Sequence, residues 1–412
     1  YIYPALPKTE RGKPIVLGND PKGETFLYTN GNSVIIRSLK DYKENDIYTQ
    51  HSSQARVAKY SPSRFYICSG DNNGKIRIWD TLSKEHILKA EYQPLGGAIA
   101  DISWSDDSKR LFIGGNGREK FACAILVDTG STLGDIMGVG KPVNSVDFKQ
   151  TRPYRVVAGT EENSVVFFEG PPFKFATCNN DHKSFCNAVR YSPDGALCVS
   201  AGADGKMFLF NGKTNELIKE LPSLHTGGIY AVSFSPKGKF LVSAGADKKL
   251  KLWKVVDSDL EFVNEHEFEN DRNSMLVGCT WSGEKIIALK LDGSLHVFQG
   301  QEEGMLKIEM PITSFYGHNK AITCSTFSKT LKALITGSVD STIMILKNDG
   351  NCLEFEALHK DIWRIHAARV NTLAWHSSSK YIASGSLDTS IIVWKLEAAR
   401  DRIQMTGEIE LY

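Results

Sequence analysis

Residues 225–253 read HTGGIYAVSFSPKGKFLVSAGADKKLKLW, and the spacing within this stretch decides the fold. A histidine opens it, a serine follows 18 residues later, an aspartate after 4 more and a tryptophan after another 6. Three short apolar runs alternate with polar turns, which predicts β-strands. We expect the aspartate to accept a hydrogen bond from the imidazole, the serine hydroxyl to bind beside it, and the tryptophan to cover this clamp.

The same steps of 18, 4 and 6 residues recur five times. The five sets are His51, Ser69, Asn73 and Trp79; His182, Ser200, Asp204 and Phe210; His225, Ser243, Asp247 and Trp253; His318, Thr336, Asp340 and Leu346; and His366, Ser384, Asp388 and Trp394. Serine, histidine and aspartate could form a hydrolase triad, and histidines could bind a metal. A catalytic or metal site occurs once in a chain, however, whereas this set occurs once in each repeat. We therefore interpret it as a structural clamp and predict no enzyme activity and no metal site.

A longer repeat is marked by an aromatic residue that closes a short apolar strand. It recurs at Tyr60, Trp104, Phe148, Tyr191, Phe234, Trp281, Phe327 and Trp375, in steps of 43 to 48 residues. Such a period, with four strands in each unit, is typical of a β-propeller. We predict an all-β WD-repeat β-propeller protein. A seven-bladed N-terminal propeller would cover residues 1–310, and residues 311–412 would be the remnant of an incomplete second propeller with two clear repeats.

Composition narrows the function classes. The 49 basic residues nearly cancel the 48 acidic ones, so no overall field attracts nucleic acid or an anionic membrane. No apolar run approaches the roughly 20 residues of a membrane span. We expect a soluble, cytoplasmic monomer whose eight cysteines are reduced and mostly buried. We predict no cofactor, since Met207 stands where a phosphate-binding loop ending at residues 212–214 requires glycine.

Two of the units without the clamp carry unusual loops instead. The unit of Trp104 has no anchoring histidine and carries an enlarged insert at residues 114–120. The unit of Phe148 has Glu161 and Glu162 in place of the clamp and then runs into GPPFKF at residues 170–175. Two prolines disfavour ladder pairing there, so Phe175 could lie outside the core beside a lysine; equally, this stretch could form the outer strand of a blade.

Several stretches outside the repeat code resemble the actin-interacting protein 1 family. They are residues 6–12 (LPKTERG), 20–23 (DPKG), 26–31 (FLYTNG), 69–71 (SGD), 77–80 (RIWD), 117–121 (GREKF), 144–147 (NSVD), 152–155 (RPYR) and 168–175 (FEGPPFKF). The match is dense from residue 6 to residue 325. Members of that family have two joined seven-bladed propellers. The resemblance therefore implies that this chain lacks several blades between about residue 330 and residue 366.

The resemblance implies a function and a contact surface. Members bind actin filaments and, together with actin-depolymerising factor or cofilin, promote filament disassembly and limit barbed-end growth. The positions that match the family's functional face are Glu119, Glu161, Lys174, Phe175 and Phe185, with Glu161 standing where the family usually has aspartate. These residues, on neighbouring units, would give a mixed apolar and charged surface of the kind that protein interfaces favour.

Two other functions remain open at this stage. The fold alone permits a general WD-repeat scaffold in a signalling or ubiquitin-ligase complex. A propeller enzyme would need ionisable groups that converge on the central channel. We expect no such set outside the clamps.

Overall fold

The structure is a computed structural model that describes residues 4–42, 44–222, 224–302, 306–348, 355–363, 366–399, 402–405 and 410–411. By its contacts the chain divides into two compact units, one from Thr9 to Ser314 and one from Phe315 onward together with residues 4–8. Within the described residues the only helical element is a single 3₁₀ turn, Arg272–Ser274. The all-β prediction is confirmed.

Seven antiparallel sheets, numbered blades 1 to 7 in chain order, build the first unit. Blade 1 holds β1 (Gly18–Asn19), β2 (Thr25–Asn30), β3 (Ser33–Ser38) and β4 (Asn45–Tyr48), and blade 2 holds β5 (Ala55–Tyr60), β6 (Tyr66–Asp71), β7 (Ile76–Asp80) and β8 (Leu88–Tyr92). Blade 3 holds β9 (Ile99–Trp104), β10 (Arg110–Gly115) and β11 (Ala122–Leu126), and blade 4 holds β12 (Val143–Phe148), β13 (Arg155–Thr160), β14 (Val165–Glu169) and β15 (Lys174–Asn179). Blade 5 holds β16 (Cys186–Tyr191), β17 (Leu197–Gly202), β18 (Met207–Asn211) and β19 (Leu217–Glu220), and blade 6 holds β20 (Ile229–Phe234), β21 (Phe240–Gly245), β22 (Lys249–Val256) and β23 (Asp259–Glu267). Blade 7 holds β24 (Leu276–Ser282), β25 (Lys285–Lys290), β26 (Leu295–Gln299) and β27 (Thr313–Phe315).

The blades form a closed ring in which the first strand of each packs beside the first strand of the next. The ring closes where blade 7 meets blade 1. There the Ser282 hydroxyl donates to the carbonyl of Thr25 at 3.1 Å, and the Ile15 amide donates to the carbonyl of Val277 at 2.8 Å. Gly23 and Gly283 lie so close that a Cβ on Gly23 would be 2.3 Å from the Cα of Gly283. Closure packs the first strand of every blade between two neighbouring blades, although each blade remains a separate sheet with its own short outer edge.

Apolar side chains fill the spaces between blades. Trp79, for example, is fully buried in a cluster that also holds Leu27 and Val34 of blade 1 and Ile67 of blade 2. Its ring stacks on Tyr48 with 4.2 Å between ring centroids. Each blade therefore completes the core of its neighbour, which is why a propeller needs its full set of blades.

Two further sheets build the second unit. They hold β28 (Ile322–Ser328), β29 (Ala333–Ser338), β30 (Ile343–Asn348) and β31 (Phe355–Trp363), and then β32 (Val370–Trp375), β33 (Tyr381–Ser386), β34 (Ile391–Ala399), β35 (Arg402–Met405) and β36 (Glu410–Leu411). The two sheets share one apolar core that includes Ile335, Val370 and Trp394. Whether residues 311–412 are the remnant of a second propeller stays a prediction.

The clamps form as the spacing predicts. In blade 6, His225 Nδ1 lies 3.0 Å from the Asp247 carboxylate and its Nε2 lies 2.8 Å from Ser243 Oγ. The indole of Trp253 donates to the same hydroxyl at 2.9 Å, so the tryptophan is a hydrogen-bond partner as well as a cover. Although burial lowers the pKa of His182 in blade 5, hydrogen bonding to Asp204 raises it to about 9.

One clamp residue was assigned wrongly. In blade 2 the carboxylate that faces His51 belongs to Asp71, and not to the Asn73 that the spacing selects. One oxygen of Asp71 accepts from the backbone amides of Asn73 and Lys75, while the other stands 3.7 Å from His51 Nδ1, which is beyond a hydrogen bond. Burial consequently lowers the pKa of His51, against the opposing effect of Asp71.

The described cysteines are unpaired thiols. Cys68, Cys123, Cys186, Cys198 and Cys279 are buried, whereas Cys178 is exposed and Cys324 is intermediate. Burial raises the pKa of Cys279 to about 12, which suits an inert core thiol. Cys352 lies outside the described residues.

Candidate protein-interaction surface

Three of the five predicted contact residues lie on the face of the ring that carries the clamps, here called the clamp face. Glu119 is exposed in the loop between β10 and β11, Glu161 lies in the turn between β13 and β14, and Phe185 lies just before β16. Backbone hydrogen bonds join these loops to the neighbouring segment of the same blade. The Glu161 amide donates to Pro142 at 2.9 Å, and the Ala203 amide donates to Phe185 at 2.8 Å. Phe185 leaves 47% of its surface exposed.

The other two, Lys174 and Phe175, lie toward the far end of blade 4. They begin its outermost strand, β15, where Lys174 pairs with Glu169 and Phe175 pairs with Phe168. Glu169 is four residues along β14 from Val165, which pairs with Asn179 near the turn of Glu161. At about 3.3 Å per residue, Lys174 is therefore roughly 13 Å below the clamp face. The structure does not bring the five residues into one tight cluster.

The open question about GPPFKF is answered by the neighbouring phenylalanines. Phe173 is fully buried, whereas Phe175 is 46% exposed although it belongs to a paired outer strand. Both expectations thus hold in part, because the outer strand forms and still presents one ring to solvent.

Exposure alone does not distinguish Phe175. Leu88, Leu217 and Phe262 occupy the same place in blades 2, 5 and 6, each at a β-bulge opposite the aromatic residue of the preceding strand. Their exposed fractions, 38%, 40% and 42%, are close to the 46% of Phe175. A large apolar residue there is a feature of the blade, and any special role of Phe175 must come from its neighbours.

A glycine-rich segment, residues 131–142, supplies those neighbours. It runs beside β11, where Ile125 bridges Thr132, and then crosses to blade 4. Gly138, at φ +84°, lies against the ring of Phe175, since a Cβ there would be 2.4 Å from ring atom Cδ2. A Cβ on Gly140 would lie 3.2 Å from a carboxylate oxygen of Glu162. This segment connects Phe175 to the clamp face and presents Met137 with 66% of its surface exposed.

The predicted residues and this segment together make one strip, here called the blade 3–5 strip. It comprises Glu119, Glu161, Phe185, residues 131–142, and Lys174 with Phe175. The strip contains charged groups of both signs, such as Glu119 and Lys174, and exposed apolar groups, such as Phe185 and Met137, which is the composition of a mixed protein interface. The segment was missed at the sequence level, although its glycines at 134, 138 and 140 in a unit without a clamp were the available signal.

The central channel contradicts the expectation that no ionisable groups outside the clamps converge there. Four ionisable side chains converge on it from consecutive blades: Lys59, Asp101, Asp147 and Arg190. The channel holds a cavity of about 410 Å³. The sequence carried the signal, because Lys59, Asp147 and Arg190 each stand immediately before the aromatic residue that marks the repeat. Strand alternation turns that preceding residue away from the blade core and toward the channel.

No group of three or more histidine, cysteine or acidic side chains in the described residues is arranged to hold a metal ion. No helix in the same part of the chain is long and apolar enough to cross a membrane.

The ring of blades and its clamps define a WD-repeat β-propeller protein. The family model for the WD domain, G-beta repeat, matches residues 43–80, 174–211, 215–254, 309–346 and 359–395. Each of these five segments ends at the last residue of a clamp set or one residue after it. The first three strands of blades 1, 3, 4 and 7, which carry no clamp set, lie outside the matched segments. Comparison with individual relatives is more specific. The chain belongs to the actin-interacting protein 1 family.

Three relatives carry this assignment. The chain is 46% identical to Actin-interacting protein 1 of Drosophila melanogaster over 83% of its own length and 55% of the relative's. It is 45% identical to WD repeat-containing protein 1-B of Xenopus laevis over 94% of the chain and 61% of the relative. For WD repeat-containing protein 1-A of Xenopus laevis the identity is 49%, over 83% and 56%. The chain therefore spans between 55% and 61% of the length of these relatives.

The fold is also similar to that of a designed protein. The crystal structure of the computationally designed Ika8 protein superimposes with a TM-score of 0.52 at 20% identity, covering 84% of this chain and 97% of the other. At that identity the likeness concerns the fold alone.

Proposed function

We propose that this protein binds actin filaments and works with cofilin to promote their disassembly and limit barbed-end growth. The observation that carries the proposal is the 46% identity to a relative named for its interaction with actin. We further propose that the protein acts without enzymatic chemistry, as a monomer, in the cytoplasm at the actin cytoskeleton. The unit from Thr9 to Ser314 supplies the contact surface, and the blade 3–5 strip is that surface.

The geometry suits recognition of a composite partner. A closed ring holds its loops in fixed positions, so the loops of blades 3, 4 and 5 present their side chains with little ordering cost. Phe175, Phe185 and Met137 offer apolar contact area, and Glu119, Glu161 and Lys174 add charged groups to the same strip. Apolar anchors surrounded by charged groups are the arrangement found at protein binding hot spots.

Sedimentation of actin filaments tests the proposal. The full chain should lower the amount of filamentous actin in the pellet when cofilin is present and leave it nearly unchanged when cofilin is absent. Glu119→Ala should weaken the effect, whereas Glu261→Ala, an exposed glutamate of blade 6, should not. Pelleting that does not change in either condition would refute the function.

An affinity purification separates this function from that of a general scaffold. Recovery of actin and cofilin with the chain agrees with the proposal. Recovery of one signalling or ubiquitin-ligase complex without actin would favour the scaffold instead.

A further inference from the structure

The central channel is electrostatically one-sided. Apart from Asp20 of blade 1, whose carboxylate accepts from the Lys22 and Glu24 amides and pairs with Arg64, its charged residues come from blades 2 to 5. The equivalent positions of blades 6 and 7 are the hydroxyl residues Ser233 and Thr280. Trp104 and Trp281 line the same cavity. A cavity of about 410 Å³ is within the range of small-molecule sites in proteins, roughly 300–1,000 Å³.

The two carboxylates of this set are already satisfied within the protein. Asp101 accepts from the Ile102 amide at 2.9 Å, from the Val146 amide at 3.1 Å and from the Ser145 hydroxyl at 3.0 Å. Asp147 accepts from the Ser103 hydroxyl at 3.2 Å and from the Tyr191 amide at 2.8 Å. These bonds tie consecutive blades together and leave the carboxylates little capacity for a ligand.

The two cations, in contrast, retain donors. Arg190 makes four hydrogen bonds among the described residues, all from one terminal nitrogen, to Asp101, Ser145, Val146 and Val189. Its second terminal nitrogen and Nε are left for another acceptor. In the part of the chain that the structure describes, the ammonium of Lys59 has only an ion pair with Asp101 at 3.8 Å, which is longer than a hydrogen bond.

Burial acts on these charges in the expected direction. It lowers the pKa of Lys59, against the effect of Asp101, and it raises the pKa of Asp147, against the effect of Arg190. The ammonium of Lys59 thus faces the cavity with donors that no described residue accepts at hydrogen-bond distance. An anion beside it would supply the missing acceptors.

We propose that the channel binds a small organic anion whose phosphate or carboxylate oxygens accept hydrogen bonds from Lys59 and Arg190. The two cations hold opposite oxygens of the Asp101 carboxylate, which keeps them close enough to share one anionic group. The body of the ligand lies toward Ser233 and Thr280, in the part of the cavity lined by blades 6 and 7. This site is separate from the blade 3–5 strip and does not depend on actin binding.

Thermal unfolding with two anionic probes tests the site. Inorganic pyrophosphate and citrate represent the phosphate and carboxylate forms, and sodium chloride at matched ionic strength is the reference. At least one probe should raise the unfolding midpoint of the full chain above the chloride reference and change its tryptophan fluorescence. A chain that shows neither change with either probe overturns the proposal.

Variants then locate the binding. Lys59→Met should weaken probe affinity at least tenfold, since it removes one donor and leaves the bonds between Asp101, Ser145 and Arg190 in place. Lys59→Arg should restore most of the affinity, and Lys213→Met, an exposed lysine of blade 5, should leave it unchanged. An equal loss in Lys213→Met, or full binding by a folded Lys59→Met, would overturn the assignment.

Discussion

Replacing Phe175 by alanine is the sharpest test of the blade 3–5 strip. The ring is 46% exposed in the free protein, so an interface that covers it buries that fraction of the side chain. For a phenylalanine of ~200 Å² this is ~90 Å², which at ~25 cal/mol per Å² is worth ~2 kcal/mol. A loss of ~2 kcal/mol weakens binding by ~30-fold.

Phe262→Ala provides the matched control for this change. Phe262 has the same position relative to its bulge and nearly the same exposure, but it lies in blade 6, away from the strip. Binding of each variant to cofilin-decorated filaments is measured by co-sedimentation across a range of protein concentrations. The expected result is a loss of ~30-fold for Phe175→Ala and none for Phe262→Ala. Equal affinities for the two variants would refute the assignment of the strip, whether both bind well or both bind poorly.

Three further predictions concern stability. Asp247→Asn should lower the free energy of unfolding by ~2 kcal/mol, because it weakens a charge-assisted hydrogen bond to a buried histidine. Asp71→Asn should lower it by less than ~1 kcal/mol, because Asp71 and its histidine are already too far apart to bond. Urea unfolding compares the two variants, and a larger loss for Asp71→Asn would contradict the clamp geometry. Gly23→Ala should lower the free energy of unfolding by ~2 kcal/mol more than Gly31→Ala, since both residues have positive φ but only Gly23 meets a neighbouring backbone. Equal urea midpoints for the two variants would argue against tight closure of the ring. Burial raises the pKa of Asp340, but its histidine and threonine partners lower it to about 2. The stability that this clamp contributes should therefore be fully present above the ordinary pKa of 3.8 and be lost as pH falls toward 2. If the unfolding midpoint of the Asp340→Asn chain falls as steeply with acid as that of the natural chain, the prediction is wrong.

The proposed contact surface was only partly predictable. The resemblance supplied its five residues, and the turns of Glu161 and Phe185 could be recognised from the repeat. The role of residues 131–142 could not, because a loop that crosses from one blade to the next has no period of its own. The position of Phe175 depended on a β-bulge, which shifts the strand register by one residue and leaves no pattern in a single sequence.

The clamps show how far local spacing reaches. The histidine bonds a serine 18 residues later and an aspartate 22 residues later, within one blade, so their spacing alone predicts the contacts. The assignment failed in blade 2 because Asp71 and Asn73 occupy the same turn. Choosing between them required the direction of the side chains, which turn geometry sets.

The sequence by itself determined the all-β class, the blade period and the clamps, because the hydrogen bonds behind them join residues of one repeat. The tertiary structure decided the ring closure and the charged channel. Arg190 and Asp101 are 89 residues apart, and Ser282 and Thr25 are 257 apart. Such pairs meet only because successive blades turn about a common axis, a rotation that no single repeat encodes.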